Sequence, residues 1–220
     1  MSARQVPVNA SSFSLIFFVI AWVVAIPAQA EMPVRSQQDS TTGIIAGDDQ
    51  QPQTVVTRFY LVRHAEKVSE FGDPELSAAG KQRAKDLAER LKDAKIAAIY
   101  STKTIRTRET GKPLAEALMQ TVKEFDAPTP GEEAKPWAKK LIDEYAGKNV
   151  LVVAHSGSPN SRGSLPSLVS ALADGQEVQR LGDEYFHLYI VTRKTVNGGL
   201  TETKIERQKY GKAPDGTLKK

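Results

Sequence analysis

Hydrophobic and polar positions alternate between strand-like and helix-like segments from about residue 54 onwards. Short runs rich in β-branched and aromatic residues predict strands, and longer segments with apolar residues three and four positions apart predict helices. The predicted strands are Val55–Val62, Ile96–Tyr100, Val122–Phe125, Asn149–Ala154, Tyr185–Thr192 and Leu200–Gln208. The predicted helices are Ser77–Leu91, Ile105–Met119, Glu132–Tyr145 and Leu165–Ala173. This alternation predicts a single three-layer α/β/α domain with a mostly parallel central sheet.

Local sequence signals support the ends of several of these elements. Ser77 is expected to cap the first helix, Pro113 to bend the second and Gly147 to end the third. The turn Asn197–Gly199 predicts that the last two strands pair as an antiparallel hairpin.

The N-terminal residues have the pattern of an export signal. Phe13 to Ile26 is an apolar run, Pro27 interrupts it, and Ala28-Gln29-Ala30 resembles a cleavage site. We therefore expect a signal peptide over residues 1–30, cleavage after Ala30, and a periplasmic or secreted mature protein. Because a permanent membrane span needs about 20 apolar residues, stable insertion after cleavage is not expected. An uncleaved membrane anchor is the alternative.

Two further regions complete the predicted organisation. Residues 31–53 are polar, lack either period, and are typical of a disordered linker. The remaining residues, 54–220, are predicted to form the folded domain.

Composition excludes several classes of function. The chain has 220 residues, a formal net charge of +4, three histidines and no cysteine. No run of five or more lysines and arginines occurs, so neither a nucleic-acid groove nor a polybasic membrane patch is expected. The lack of cysteine excludes disulfides, thiolate nucleophiles and cysteine-ligated zinc, and with three histidines a histidine-rich metal cage is not expected. The sequence does not indicate an oligomeric state.

Polar residues that suit phosphate chemistry follow three of the predicted strands. Arg63 and His64 end the first strand, Ser101 and Thr102 end the second, and His155 follows the strand that ends at residue 154. Sites in parallel α/β sheets lie beyond the carboxyl ends of the strands, so we expect these three segments to converge.

The convergent residue types match the needs of phosphoryl transfer. Arginine binds phosphate oxygens with a planar fork, and a neutral imidazole can attack phosphorus and carry the phosphoryl group. Arg106, in the first turn of the predicted second helix, adds a second guanidinium, and the helix N-terminus is expected to add free N–H groups. Gly157, after His155, allows the backbone to approach closely.

Three motifs together resemble the histidine phosphatase superfamily, the branch that includes cofactor-dependent phosphoglycerate mutases and many small phosphatases. They are LVRHAEK at residues 61–67, YSTKTIRTRET at 100–110 and VVAHSGS at 152–158. They occur in the order and spacing of that family, and the resemblance covers residues 54–211.

The resemblance implies a phosphoglycerate mutase-like fold and a phosphoric monoester hydrolase of the histidine acid phosphatase type. It implies that His64 becomes phosphorylated while Arg63, Arg106 and His155 bind and stabilise the phosphoryl group, with no metal or other cofactor. We expect a small phosphorylated substrate, an envelope sugar phosphate being one candidate. A protonated His155 would hold the phosphoryl oxygens best, so we expect activity to favour mildly acidic pH.

The chain departs from the family pattern at several positions. Ala154 stands where many relatives have glycine, and Gly157 where asparagine is frequent. The loop Pro159–Ser164 looks longer than usual, and its Arg162 is either a solvated residue or a contact for a second anionic group.

The proton donor to the leaving group is less evident than the phosphate-binding residues. The mutases take it from a glutamate-rich segment that has no obvious counterpart here. Asp126, after the strand Val122–Phe125, is the first candidate, and Glu66 and Asp73 are the alternatives.

Other functions fit parts of the sequence. The segment Ala154–Ser158 resembles the nucleophile turn of a serine esterase, with Ser156 as nucleophile, Asp174 or Asp183 as acid and His187 as base. Against it, both glycines of that turn are replaced, and His187 is otherwise expected to be structural. A non-catalytic module that binds a phosphorylated ligand on the same fold is a second alternative, and a mutase is a third.

Overall fold

The computed structural model describes residues 51–128, 134–158, 161–178 and 184–212. The strands are β1 (Thr54–Arg63), β2 (Ile96–Thr102), β3 (Val122–Phe125), β4 (Asn149–Ala154), β5 (Gly157–Ser158), β6 (Ser161–Arg162), β7 (His187–Val196) and β8 (Gly199–Lys209). The helices are α1 (Ala78–Leu91), α2 (Ile105–Ala117), α3 (Lys135–Glu144) and α4 (Ser164–Leu172). The predicted signal peptide and most of the predicted linker lie outside the described residues.

One mixed sheet of six strands organises the described part of the chain, in the order β3-β2-β4-β1-β7-β8. The strands β3, β2, β4 and β1 are parallel to one another, whereas β7 is antiparallel to both β1 and β8. Arg63 is in register with Ala154, and Ser101 with Val153. The carboxyl ends of β1, β4 and β2 therefore lie side by side.

Helices pack on both faces of this sheet. The buried residues Phe59 and Leu61 of β1 belong to a core shared with α3 and α4, whereas Val62 belongs to a core shared with α1 and α2. Successive side chains of a strand point to opposite faces, so β1 contributes to both cores. The arrangement is the predicted three-layer α/β/α architecture, and it fixes the carboxyl ends of β1, β2 and β4 relative to one another.

Element ends differ from the prediction by a few residues. Ser77 is the N-cap of α1, where its hydroxyl accepts a hydrogen bond from the Gly80 N–H, and Pro113 lies within α2. The short β5–β6 hairpin was not predicted, because two-residue strands carry no detectable period.

No helix in the described stretches has the length and apolar content to cross a membrane.

Candidate active site

The three predicted segments converge at the carboxyl ends of β1, β2 and β4. The His64 N–H donates to the Ala154 carbonyl at 3.0 Å, which ties the segment after β1 to the end of β4. The rings of His64 and His155 lie edge to face with centroids 5.3 Å apart. The adjacent strand ends therefore place two imidazoles from distant parts of the chain next to each other.

The His64 ring is held in one orientation and one tautomer. The residue is 4% exposed, and Nδ1 lies 2.8 Å from the Ala65 carbonyl oxygen. A carbonyl can only accept, so Nδ1 carries the proton and Nε2 keeps its lone pair. Burial, followed by the charges of His155, Arg63 and Arg106, lowers the pKa of His64 to about 3, although the Ala65 hydrogen bond opposes this. At neutral pH, Nε2 is therefore an uncharged nucleophile.

His155 is anchored by the loop between β2 and α2. Its Nε2 lies 2.9 Å from the Thr102 hydroxyl and 3.4 Å from the Thr104 hydroxyl, and Thr107 hydrogen-bonds to both threonines. Burial and then the charges of Arg106 and Arg63 lower the pKa of His155 to about 4. In the free protein His155 is therefore neutral even at mildly acidic pH, which does not support the expected protonated form. A bound phosphate would raise this pKa, since an opposite charge favours the charged imidazole.

The positive charges of Arg63 and Arg106 lower the pKa values of both His64 and His155. The Arg63 guanidinium lies over the Tyr185 ring, 4.3 Å from its centroid. The Arg106 side chain is 18% exposed, and its Nε is buried without a hydrogen-bond partner in the described part of the chain. The structure thus brings together all four residues predicted to bind or receive phosphate.

The first backbone N–H of α2 is occupied by a carboxylate. Both Asp73 carboxylate oxygens lie 3.0 Å from the Ile105 nitrogen, and Asp73 Oδ1 also accepts from Arg106 Nη1 at 3.1 Å. Thr104, the N-cap residue, makes no side-chain cap. A carboxylate from a separate loop therefore takes the first N–H of the helix.

The other two candidate proton donors are engaged elsewhere. The Glu66 carboxylate accepts hydrogen bonds from Arg83 Nε at 2.9 Å and Nη2 at 2.6 Å. Asp126 is paired with Lys103 at 2.6 Å and has an 83% exposed side chain. Three strand spacings of about 4.8 Å put the end of β3 about 14 Å from the end of β1. The structure therefore does not support Asp126 or Glu66 as the acid, and of the three only Asp73 contacts a predicted phosphate ligand.

The glycine before α4 allows a close backbone approach behind His155. A Cβ on Gly163 would lie 2.1 Å from both the His155 carbonyl oxygen and the Gly157 nitrogen. Glycine at this position lets the chain fold back against the histidine loop. The side chain of Arg162, the residue before Gly163, lies outside what the structure describes.

The groups required for a serine esterase are not assembled. The Ser156 hydroxyl is buried without a hydrogen-bond partner among the described residues, so no base is placed to activate it. Asp174 accepts from Arg193 and Thr203, while His187 Nε2 lies 2.5 Å from Glu184. Asp183 lies outside the described residues.

Two further groups lie beside this site. The Tyr185 ring lies 5.7 Å from the His64 ring as well as against Arg63. Lys67, with a 13% exposed side chain, pairs with Glu70 and acts electrostatically on His155. Lys67 belongs to the first motif, where a positive charge near the site is expected, whereas nothing in the sequence marked Tyr185 as part of the site.

A cavity formed by described residues lies away from Arg63, His64, Arg106 and His155. A cavity of about 500 Å³ opens on the face of β1, β7 and β8 beside α1, and none of the four phosphate-site residues lines it. Within the described residues, no cluster of three or more His, Cys, Asp or Glu side chains could hold a metal ion.

Comparison with known families finds a match over part of this domain. Residues 59–127 match the model of the histidine phosphatase superfamily (branch 1). The match includes Arg63, His64 and Arg106, and the fold adds His155 from beyond it. The resemblance to the histidine phosphatase superfamily is confirmed. No curated protein matches the chain.

Solved structures share the fold at low sequence identity. A structure titled mycobacterial hydrolase 2 is 17% identical with a TM-score of 0.52, covering 73% of this chain and 94% of its own. Mycobacterial hydrolase 1 is 16% identical with a TM-score of 0.50, covering 69% and 97%. A mycobacterial glucosyl-3-phosphoglycerate phosphatase in complex with VO3 is 16% identical with a TM-score of 0.50, covering 68% and 97%. The described domain therefore has the α/β fold of these proteins.

Proposed function

We propose that this chain is an exported, metal-independent phosphatase that hydrolyses a phosphomonoester through a phosphohistidine on His64. The observation that carries the proposal is the state of the His64 imidazole. It is buried, its Nδ1 donates to the Ala65 carbonyl, and its pKa is lowered to about 3. A neutral, oriented Nε2 beside two guanidinium groups is what attack on a dianion requires.

The reaction has two steps. In the first, His64 Nε2 forms a bond to phosphorus while the bond between phosphorus and the ester oxygen breaks, and the alcohol leaves with a proton taken from solvent, to which the second step returns one. In the second, water adds to phosphorus, the phosphorus–nitrogen bond breaks, and orthophosphate leaves as the water gives up its proton. The same imidazole is regenerated.

Three cationic or polar groups stabilise the phosphoryl group in both steps. Arg63 and Arg106 supply planar guanidinium donors for the equatorial oxygens, where negative charge collects in the transition state. His155, held by Thr102 and Thr104, binds a further oxygen and becomes a better donor once the bound anion raises its pKa.

The substrate is proposed to be a small phosphate ester. One protein with this fold is titled a glucosyl-3-phosphoglycerate phosphatase. Together with the predicted export signal in residues 1–30, this supports a sugar phosphate of the cell envelope as one candidate. N-terminal sequencing of the mature protein tests the export proposal, which predicts a chain that begins at Glu31.

Turnover of p-nitrophenyl phosphate by the full chain tests the activity, with EDTA present to remove metal ions. We expect activity in the wild type and a loss of at least about a thousandfold in His64→Ala. Ser156→Ala and His187→Gln serve as controls that should keep the rate. After brief reaction with 32P-labelled substrate, the protein should carry a label that is stable in base and lost in acid.

Each other outcome points to a different function. Binding of orthophosphate without any turnover would favour a non-catalytic module. Loss of activity in Ser156→Ala, with retention in His64→Ala, would favour the serine esterase. Transfer of the label to a second substrate hydroxyl rather than to water would favour a mutase.

A further inference from the structure

Asp73 is presented to the site by a narrow loop between β1 and α1. Lys67 and Leu76 form an antiparallel bridge, and the Val68 N–H donates to the Glu75 carbonyl at 3.1 Å. These contacts close the base of the loop and project residues 69–74 beyond it. Asp73 then reaches back to the start of α2.

The Asp73 carboxylate joins two donors of different kinds. It accepts from the Ile105 backbone N–H at 3.0 Å and from Arg106 Nη1 at 3.1 Å. The backbone donor is fixed by the helix, so it holds the carboxylate in place, and the carboxylate in turn holds the guanidinium. A single ion pair at a partly exposed position is worth little for stability, which makes orientation the more useful effect.

Arg106 is engaged by Asp73 through Nη1, whereas its Nε is buried and has no hydrogen-bond partner among the described residues. A buried donor without a partner in a native protein calls for a ligand or a water molecule. Arg106 also lowers the pKa values of both His64 and His155, so its charge lies near the proposed phosphoryl position.

We propose that Asp73 is a positioning residue that holds Arg106 by Nη1 so that its Nε edge is available to the phosphoryl group of the substrate. The inference rests on the proposed phosphatase function and deepens it. It also separates Asp73 from the role of proton donor, since this carboxylate is arranged as a hydrogen-bond acceptor.

Two measurements on the full chain test the role of Asp73. The first is the dissociation constant for inorganic phosphate, measured by calorimetry with wild type, Asp73→Ala and Asp73→Asn. The second is kcat and KM for p-nitrophenyl phosphate and for an alkyl phosphate, whose leaving group needs a proton far more. Asp143→Ala is the matched control, because Asp143 also makes an ion pair, with Lys139, but lies on α3.

We expect Asp73→Ala to weaken phosphate binding about tenfold and to raise KM to a similar extent for both substrates. Asp73→Asn keeps an acceptor oxygen and should recover part of this loss, and it remains informative if the alanine variant unfolds. Asp143→Ala should match the wild type.

Three results would overturn the inference. Tighter phosphate binding in both Asp73 variants would show that Asp73 competes with substrate for Arg106. A loss of kcat confined to the alkyl phosphate would make Asp73 the proton donor. Unchanged binding and kinetics in both variants would show that Asp73 does not position Arg106. If the wild type itself neither binds phosphate nor turns over either ester, the proposed function fails instead.

Discussion

The guanidinium of Arg63 lies over the ring of Tyr185, with Cζ 4.3 Å from the ring centroid. Tyr185 precedes β7, and its ring centroid is 5.7 Å from that of His64. An arginine over an aromatic face keeps its N–H groups in the guanidinium plane, where they can still donate to an anion beside the ring. Tyr185 therefore forms one wall of the site and limits the orientations of Arg63.

Replacing Tyr185 tests this wall. Tyr185→Ala should raise KM for p-nitrophenyl phosphate about fivefold, because a cation–π contact is worth roughly 0.5–2 kcal/mol. Tyr185→Phe keeps the ring face and should restore the wild-type KM. Steady-state kinetics with both variants measure this. If Tyr185→Phe is as impaired as Tyr185→Ala, the hydroxyl rather than the ring matters and the interpretation is wrong.

The sequence predicted the residues proposed to bind phosphate better than the residues that position them. Arg63, His64, Arg106 and His155 follow strand ends or begin a helix, and the periodicity that defines those elements also places the residues. Tyr185 could not be found in this way, because its contact with Arg63 depends on where the chain returns to the sheet before β7. Long-range contacts of this kind leave no periodic signal.

The carboxylates show the same limit. Asp126 follows a strand end just as His64 does, and only the strand order shows that β3 is separated from β1 by β4 and β2. Glu66 lies two positions after His64, yet its pairing with Arg83 could not be read from a spacing in the sequence.

Stability should fall on acidification because both histidines are held neutral. The folded pKa values of about 3 for His64 and about 4 for His155 lie below the unfolded value of about 6.5. Between those limits the unfolded chain binds more protons, so the free energy of unfolding decreases as the pH falls from 6.5 towards 4. The slope is at most about 1.4 kcal/mol per pH unit for each histidine.

Urea unfolding at pH 7.5 and pH 5.0 measures this effect. The double variant His64→Asn, His155→Asn should lose less stability over this interval than the wild type, since the carboxylates are common to both. Equal losses in the two proteins would contradict the lowered pKa values.

The same pKa values predict how activity depends on pH. The profile of kcat/KM reports the free enzyme, in which both histidines stay neutral above about pH 5. Once corrected for the ionisation of the substrate phosphate, kcat/KM should be flat between pH 5 and 8. A rise towards pH 5 would restore the expectation that a protonated His155 is the active form in the free enzyme.

The pair of Glu66 and Arg83 should stabilise the loop after His64 without taking part in the chemistry. The Arg83 side chain is 6% exposed and also donates to the carbonyls of Tyr210 at 3.3 Å and Lys212 at 2.9 Å. Glu66→Gln leaves much of the Arg83 charge uncompensated, so we expect about 2–3 kcal/mol of destabilisation. Below the melting temperature kcat should stay within about threefold of wild type, whereas a proton donor would show a much larger loss.

Thr110 connects α2 to the backbone that orients the nucleophile. Its hydroxyl accepts from the Ala65 N–H at 2.9 Å and donates to the Arg106 carbonyl at 2.7 Å, and the Ala65 carbonyl accepts from His64 Nδ1. Thr110→Val keeps the shape but leaves the buried Ala65 N–H without an acceptor, which should cost about 1–3 kcal/mol of stability. It should also lower kcat more than it raises KM, because the imidazole loses its fixed orientation while the guanidinium groups keep theirs. Thr110→Ser retains the hydroxyl and should recover kcat. If the serine variant is as slow as the valine variant, packing of the threonine methyl group, rather than the hydrogen bond, supports His64.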